Sequence, residues 1–554
     1  TLTLTPAKPL SQELANTLWS FSKAGYSAPH LLRSIGKTAA SDLGQFNCQE
    51  LANMAWALAT AVKREELLWD DDRWLVDFFE ALAVAAAGRL GEFNAQGVTN
   101  LAWAFAAIEH PAPALFDQIA AQSPTRLDEF GPQGLSNTLW AFAALGHPAP
   151  HLFAAIATHA ESRLNAFSAQ GLANMAWAVA TSLRESRDGG GGISRGGERV
   201  WLDSFVCALA EEASGRLGEF TAQGLVNTAW ALATIEYPAP APFAILGGGP
   251  TLDCLQTIAT ELLERRDLSQ FTPQGLANLV YAFAHAGQSS DALFHHLGAE
   301  VAARMHLFNP QELANSAWAF AVVNVSKGDV AEALFGQGSR FTGLCETIMW
   351  ENKQLCQLHQ WSLWRQELCA SGHAVGWPAL SQELRQRSYS AFSSSELNPS
   401  RLQRQVHDAL VALGLPPEEE VRVEQGYSID LAVEWGGVRV AIEVDGPKHF
   451  TNQRTPTGST LLKRRQLRNF GWQLLSVPHW EWDPLRQGDP LTQRRRQCEY
   501  LMEKLDECLG VETLARGDGW VVVDTRPEEW EEEWVEVWVD DVDEEEGGRR
   551  EGGG

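Results

Sequence analysis

The sequence predicts an α-helical repeat solenoid of helix–turn–helix units, about 37 residues each, followed by a small α/β domain and an acidic tail. Three observations predict it. One Asn-centred motif recurs eight times. The hydrophobic pattern changes from helical to strand-like near Tyr427. The last stretch, Gly517 to Gly554, holds fifteen Asp/Glu against three Arg, a net of −12 that leaves −15 of the total −27 for everything before it. At 554 residues the chain exceeds one compact core, so several domains or an array are expected.

The motif reads Phe, a capping residue, any residue, Gln, then Leu, Asn and Trp at fixed offsets. Clear copies are Phe46-Asn47-Cys48-Gln49-Glu50-Leu51-Ala52-Asn53-Met54-Ala55-Trp56 and Phe308 to Trp318. The Asn recurs at Asn16, Asn53, Asn100, Asn137, Asn174, Asn227, Asn278 and Asn315, at spacings of 37, 47, 37, 37, 53, 51 and 37. The excess lengths of 10, 16 and 14 are insertions. Asn47, Asn94, Gly131, Ser168, Thr221, Thr272 and Asn309 fall at the N-cap, where all but Gly131 offer an oxygen to an orphan backbone N–H. Pro132, Pro273 and Pro310 take the first helical position, which tolerates the missing donor. The preceding Phe serves as a hydrophobic staple.

Within each helix Leu51, Ala55 and Leu58 form one stripe, while Gln49, Asn53, Trp56 and Thr60 share another face. Turns such as His110-Pro111-Ala112-Pro113, His147 to Pro150 and Tyr237 to Pro240 lead to a second apolar helix. Such a unit buries its surface only by stacking on the next. The insertions read as surface loops, Arg184 to Arg199 being low-complexity, and Leu358 to Leu363 reads as a degenerate closing repeat.

Because the Asn never changes and the Trp yields only to Tyr281, these residues read as a frame: an Asn/Gln ladder satisfying buried polar groups, with Trp filling the layer. A base-reading code needs positions that vary. The residues flanking the Asn do, and Thr99, Ser136, Thr138 and Thr228 are the candidate base-edge readers. On this motif the span from Leu10 to Phe335 resembles the octotricopeptide-repeat family, which implies a helical-hairpin solenoid associated with organellar RNA.

A second domain is expected after the Ser/Pro-containing stretch Ser393 to Ser400. A helix from Leu402 to Leu413 precedes a strand from Tyr427 to Glu434, a Trp435-Gly436-Gly437 turn and a strand from Val438 to Val444. A basic helix, Thr460 to Asn469, and a strand, Gln473 to Val477, complete an αββαβ order with room for a short strand near Val421. That order is the one found in restriction-endonuclease-like cores. The expected boundaries are 1–368 for the solenoid, 369–400 for a linker, 401–484 for the α/β domain, 485–516 for a helical extension and 517–554 for the tail.

Tyr427-Ser428-Ile429-Asp430-Leu431-Ala432-Val433, Ile442-Glu443-Val444-Asp445-Gly446-Pro447-Lys448-His449-Phe450 and Leu462-Lys463-Arg464-Arg465-Gln466-Leu467 together resemble the RAP domain, whose name abbreviates an RNA-binding domain abundant in apicomplexans. The resemblance implies action on organellar transcripts or ribosomal RNA, in chloroplast or mitochondrion, and a distant kinship with nucleases whose paired carboxylates hold a metal. Asp430, Glu443 and Asp445 are the candidate ligands for a hard cation such as Mg²⁺, with waters left for phosphodiester attack. The nuclease pattern wants Lys two residues after the Glu, and Asp445 stands there. Lys448 or Lys463 would have to substitute. The alternative is a relic in which Asp445-Gly446-Pro447 makes a turn and His449 caps the loop. Lys463, Arg464, Arg465, Arg468 and His449 are candidate RNA contacts, the cations to phosphate.

Eight scattered cysteines without a C-x-x-C pair suggest neither zinc nor a disulfide framework and fit a reducing compartment. No apolar run approaches the roughly 18 residues that cross a bilayer, which predicts a soluble chain. The chain begins at Thr1, already inside the repeat pattern, which leaves room for a presequence ahead of it. The tail, with Trp530, Trp534 and Trp538 at every fourth residue, reads as a disordered, solubilising or partner-binding segment. Three functions stay open. The first is an organellar RNA-binding factor for processing, stability, splicing or translation, docking on RNA or a ribonucleoprotein such as a ribosome-assembly intermediate. The second is a repeat-guided, Mg²⁺-dependent endoribonuclease, and the third a protein-binding scaffold. The acidic composition requires that RNA binding use a local positive stripe rather than bulk attraction.

Overall fold

In the computed structural model the described residues are 11–64, 73–187, 200–235, 250–265, 267–325, 329–394, 399–451 and 454–509. The chain divides into two compact units, residues 1–498 and 499–554. Most of the loop Arg184–Arg199, the turn Tyr237–Pro240 and the whole acidic tail with its three Trp lie outside the described residues.

The first unit is mostly helical and opens with eight helix pairs. They are α1 (Ser11–Ala24) with α2 (Pro29–Ala40), α3 (Cys48–Lys63) with α4 (Arg73–Ala87), α5 (Ala95–Ala107) with α6 (Pro113–Gln122), and α7 (Pro132–Ala144) with α8 (Pro150–Glu161). Next come α9 (Ala169–Arg187) with α10 (Val200–Ser214), α11 (Ala222–Ile235) with α12 (Pro250–Glu264), α13 (Pro273–His285) with α14 (Asp291–Arg304), and α15 (Pro310–Val323) with α16 (Asp329–Phe335). Odd-numbered helices stack on odd and even on even, giving two layers. The motif helices form one layer, called inner below, and their Leu stripe (Leu51, Leu135, Leu172, Leu225) is buried.

The caps act as the sequence requires. Asn47 accepts from the Glu50 amide at 3.0 Å while the Glu50 carboxylate accepts from the Asn47 amide at 2.9 Å, and Asn309 with Glu312 repeats this box. Asn94, Ser168, Thr221 and Thr272 each accept one amide. Such a cap stabilises a helix by about 1 kcal/mol. Gly131 makes no side-chain cap.

Where a unit has no insertion, the inner helix is stopped by a left-handed residue nine positions after the Asn. These are Gly25, Glu109, Gly146, Gly287 and Asn324. The next amide then reaches back to a helix carbonyl, as His147 does to Phe142 at 3.0 Å. In α3 and α9 that place holds Val62 and Leu183, poor left-handed residues, and the helices run on to Lys63 and Arg187. The three insertions all fall between the two helices of a unit, after residues 64, 187 and 235.

A row of arginines joins successive units. Arg89, Arg126, Arg216, Arg265 and Arg304 donate to the main-chain oxygens of Phe46, Phe93, Phe167, Phe220 and Phe271 in the preceding unit, at 2.7 to 3.1 Å. Each is also ion-paired to a Glu on its own turn or helix. Row and carboxylates neutralise each other, so this edge is not the positive stripe expected of an RNA binder.

After α17 (Phe341–Cys345), α18 (Asn352–Ala370) takes the next inner place against α15, as a closing repeat should. Its fully buried Trp361 and Trp364 pack on Phe335 at 5.5 and 5.8 Å. The span 369–400, read from sequence as a linker, contains α19 (Gln382–Ser393), which packs on α18. Residues 395–398 of the Ser/Pro stretch lie outside the described residues.

The α/β part contains α20 (Arg401–Ala412), β1 (Glu418–Arg422), β2 (Ser428–Trp435), β3 (Val438–Asp445), α21 (Gly458–Asn469), β4 (Gln473–Pro478), α22 (His479–Trp482) and α23 (Pro490–Cys508). The sheet order is β1-β2-β3-β4, antiparallel except that β3 and β4 are parallel. Gly436 and Gly437, both at positive φ, supply the tight β2–β3 turn. β1 is the short strand expected near Val421.

This part is mounted on the end of the array. Gln360 of α18 donates to the Tyr427 hydroxyl at 2.9 Å, and that hydroxyl donates to Gln466 of α21 at 2.8 Å. The His359 ring donates to the Gln425 carbonyl at 2.8 Å. Gly458 approaches α13 so closely that a Cβ there would lie 2.0 Å from the Ala284 oxygen.

Candidate functional site

The acidic motif sits where the central strand is most covered. β3 is buried from Val440 to Asp445, with Glu443 at 2% and Asp445 at 1% exposure. Asp430 on the neighbouring β2 accepts a 2.7 Å bond from the Val444 amide. α21 crosses above and sends Lys463 to Glu443 at 2.5 Å and Arg464 to Asp445 at 2.5 Å. Lys463, twenty residues away in sequence, is therefore the lysine that meets the motif, whereas Lys448 stays exposed on its loop.

Both oxygens of Asp445 are engaged. One oxygen accepts from Arg464 and from Ser476 at 2.6 Å, and the other faces His449 Nδ1 at 3.1 Å. Burial pushes the Glu443 carboxyl up to about 8 against the pull of Lys463. Burial also raises Asp430. Burial disfavours the Lys463 ammonium, but Glu443 and Asp430 outweigh it and hold its pKa above the usual lysine value.

These residues do not fit the Mg²⁺ site expected from sequence. Asp445 is consumed by Arg464, Ser476 and His449, and an ammonium already occupies one Glu443 oxygen. Among the described residues no group of three His, Cys, Asp or Glu could hold a metal ion. Asp430, Glu443 and Asp445 thus form a buried acidic cluster against which Lys463 and Arg464 supply built-in positive charge.

The expected phosphate contacts on α21 are largely spent as well. Lys463 and Arg464 face the acids, and Arg465 turns toward the array, donating to Val322 at 2.9 Å with Glu367 at 3.5 Å. A cation buried against a carboxylate and backbone carbonyls is not available to RNA. Arg468 remains exposed. His449 braces its own loop, its carbonyl accepting from the Thr457 amide at 2.9 Å.

The candidate base readers are also corrected. Thr99, Ser136, Thr138 and Thr228 are 5%, 1%, 0% and 0% exposed. Their hydroxyls donate to carbonyls of their own helices: Ala95, Gln133, Gly134 and Gly224. The position before the Asn faces the next unit, Thr99 Oγ1 lying 3.2 Å from where a Cβ on Gly134 would stand. Variation at Thr99, Thr138 and Thr228 tracks helix packing, while Ser136, though almost fully buried, also borders the groove between the inner helices.

The repeated Gln, Asn and Trp, read from sequence as an internal frame, instead reach a surface. Asn53, Asn100, Asn137 and Asn174 are half-buried, as are Trp56, Trp103, Trp140 and Trp177. Of these, Asn100, Asn137, Asn174, Trp56, Trp103 and Trp140, together with Gln133 and Gln170, line a groove of about 820 Å³. The indoles come in pairs, Trp56–Trp103 at 6.3 Å and Trp140–Trp177 at 6.5 Å. Farther along, Arg184 lies over Trp230 at 5.5 Å, and Tyr281 meets Trp318 at 5.1 Å. Among the described residues Gln223 donates to Asn227 at 2.7 Å, and at the closing end the amides extend this into a ladder between helices: Gln311 and Gln357 donate to Asn315 at 2.7 and 3.0 Å, and Gln354 donates to Gln311. The sequence signal for the groove was the i, i+4, i+7 spacing itself.

Comparison with known proteins agrees with this architecture. Residues 442–504 match the RAP domain, beginning in β3 just before Glu443 and extending into α23, so that Asp430 precedes the matched span. The chain is a helical repeat protein with a RAP domain near its C-terminus. It is 26% identical over 324 residues to a RAP domain-containing protein, chloroplastic, from Oryza sativa subsp. japonica. That alignment takes in 52% of this chain and 48% of the relative, so the match spans about half the relative's length. Among the described residues no helix is long and apolar enough to cross a membrane.

Proposed function

We propose that this protein binds single-stranded RNA in an organelle and acts in post-transcriptional RNA metabolism: processing, stability, splicing or translation. The observation that carries the reading is the mounting of a RAP domain on the end of a repeat array whose inner helices form a groove of amides and indoles. Those two chemistries are the ones that hold unpaired nucleotides. The chloroplastic designation of the rice relative supports an organellar address, in chloroplast or mitochondrion. The octotricopeptide-like spacing of the units supports the same role.

The reading is binding without cleavage, because two of the three acids a nuclease would offer to a metal, Glu443 and Asp445, are held by Lys463, Arg464 and Ser476. Crosslinking in cells followed by sequencing of the recovered RNA tests the proposal. The expected result is enrichment of organellar transcripts or ribosomal RNA over a tag-only control. Recovery of no RNA above that control overturns it.

A further inference from the structure

The groove between Trp56 and Asn174 has three properties that together specify what it holds. None of the residues lining it carries a formal charge. Its carboxamides are open to solvent and uncommitted: among the described residues, the side chains of Asn100, Gln133, Asn137, Gln170 and Asn174 make no hydrogen bond within the protein, unlike Gln311 and Asn315 at the closing end. Its indole row is interrupted, since Trp56 pairs with Trp103 and Trp140 with Trp177, while no ring contact among the described residues joins Trp103 to Trp140. The groove spans that interruption.

We propose that this floor takes the unpaired bases of single-stranded RNA, with the phosphates left outside the groove. The proposal rests on the RNA-binding reading above and specifies which part of the RNA the array holds. A carboxamide offers donors on one atom and an acceptor on the other, matching the mixed edge of a base. An indole face stacks on any base. Phosphate would need cations, and the floor has none, while the arginine row is neutralised by Glu92, Glu129, Glu212, Glu261 and Glu300. A chain of net charge −27 repels a polyanion, so contact through neutral base surfaces avoids the electrostatic cost. Because the floor residues repeat from unit to unit, they register the presence of a base more than its identity.

The test is fluorescence anisotropy of the full chain with a labelled mixed-sequence single-stranded RNA and with an abasic ribose-phosphate strand of equal length. The abasic strand is expected to bind at least about tenfold more weakly, and Trp140→Ala to lower RNA affinity by about tenfold, one stacked base. Trp140→Phe should recover most of that loss. Asn137→Leu, on a half-exposed side chain, should weaken RNA without changing the salt dependence, which should be shallow against the slope of about −0.7 per phosphate contacted. Equal binding of the two strands overturns the inference and leaves RNA binding standing. So does a steep salt slope with Trp140→Ala and Asn137→Leu both neutral. Failure of both strands to bind overturns the inference and the RNA-binding reading together.

Discussion

Arg465 of α21 donates to the main-chain carbonyl of Val322 at the end of α15, across 2.9 Å and 143 residues of sequence. The same guanidinium caps Ala321 and faces Glu367, whose side chain is 10% exposed. Arg465→Ala should cost roughly 3–5 kcal/mol, because it strands a buried carboxylate as well as removing a donor. In chemical denaturation, Arg465→Ala with Glu367→Gln should lose less than the sum of the single losses. A single variant that unfolds like the parent refutes the junction.

The backbone approach at Gly458 is the second hold on this junction. Gly458→Ala places a methyl 2.0 Å from the Ala284 carbonyl oxygen, so α21 must shift, at a cost of about 1–3 kcal/mol. Gly343→Ala, with nothing within 4 Å, is the control and should melt near the parent temperature.

Glu443 makes stability depend on pH in a stated direction. Burial raises its folded-state pKa to about 8 from an ordinary value of 4.5, so between these limits the folded chain holds a proton the unfolded chain has lost. Its contribution is complete below about pH 4.5 and is lost as pH rises through 8. Thermal melts of Glu443→Gln, which has no proton to lose, should show a shallower decline over this window than the parent. Identical slopes would remove the raised carboxyl from the account.

The buried hydroxyls should be silent in recognition. Thr99→Val and Thr138→Val remove bonds to Ala95 and Gly134 within their own helices and touch no surface. Selection of bound RNA from a random pool should return the same preference as the parent. A changed preference would return these positions to the interface.

The arginine row should behave as a set of separate fasteners. Arg126→Ala and Arg304→Ala each remove a charge-assisted bond to a Phe carbonyl, worth roughly 1.5–3 kcal/mol, and far apart along the array their losses should add. Arg163 pairs instead with His159, four residues back, and Arg163→Ala should cost less in the same denaturant titration.

The sequence was most informative where the physics is local. The N-caps from Asn47 to Asn309, the tight turn at Gly436-Gly437 and the 37-residue spacing follow from backbone chemistry that a short window contains. Pairings formed by the crossing of distant elements were not legible: Lys463 with Glu443, Arg464 with Asp445, and Arg465 with Val322. The i, i+4, i+7 spacing did place Gln49, Asn53 and Trp56 on one face, but spacing does not reveal whether a face is covered. Constancy from unit to unit suggested a covered one. Along the groove the constant residues are half-exposed, whereas at the closing end α21 packs on α13, α15 and α18.

The insertions have a consequence of their own. All three enter after an inner helix has ended, two of them in units that hold Val62 and Leu183 at the place of the left-handed stop, whereas the groove is floored by the first turns of the inner helices and the Asn–Trp segment beyond them. Length can therefore be gained or lost at those sites without altering the pitch of the floor. The sites after residues 64, 187 and 235 are where a foreign peptide or reporter domain can be spliced in with the groove left intact.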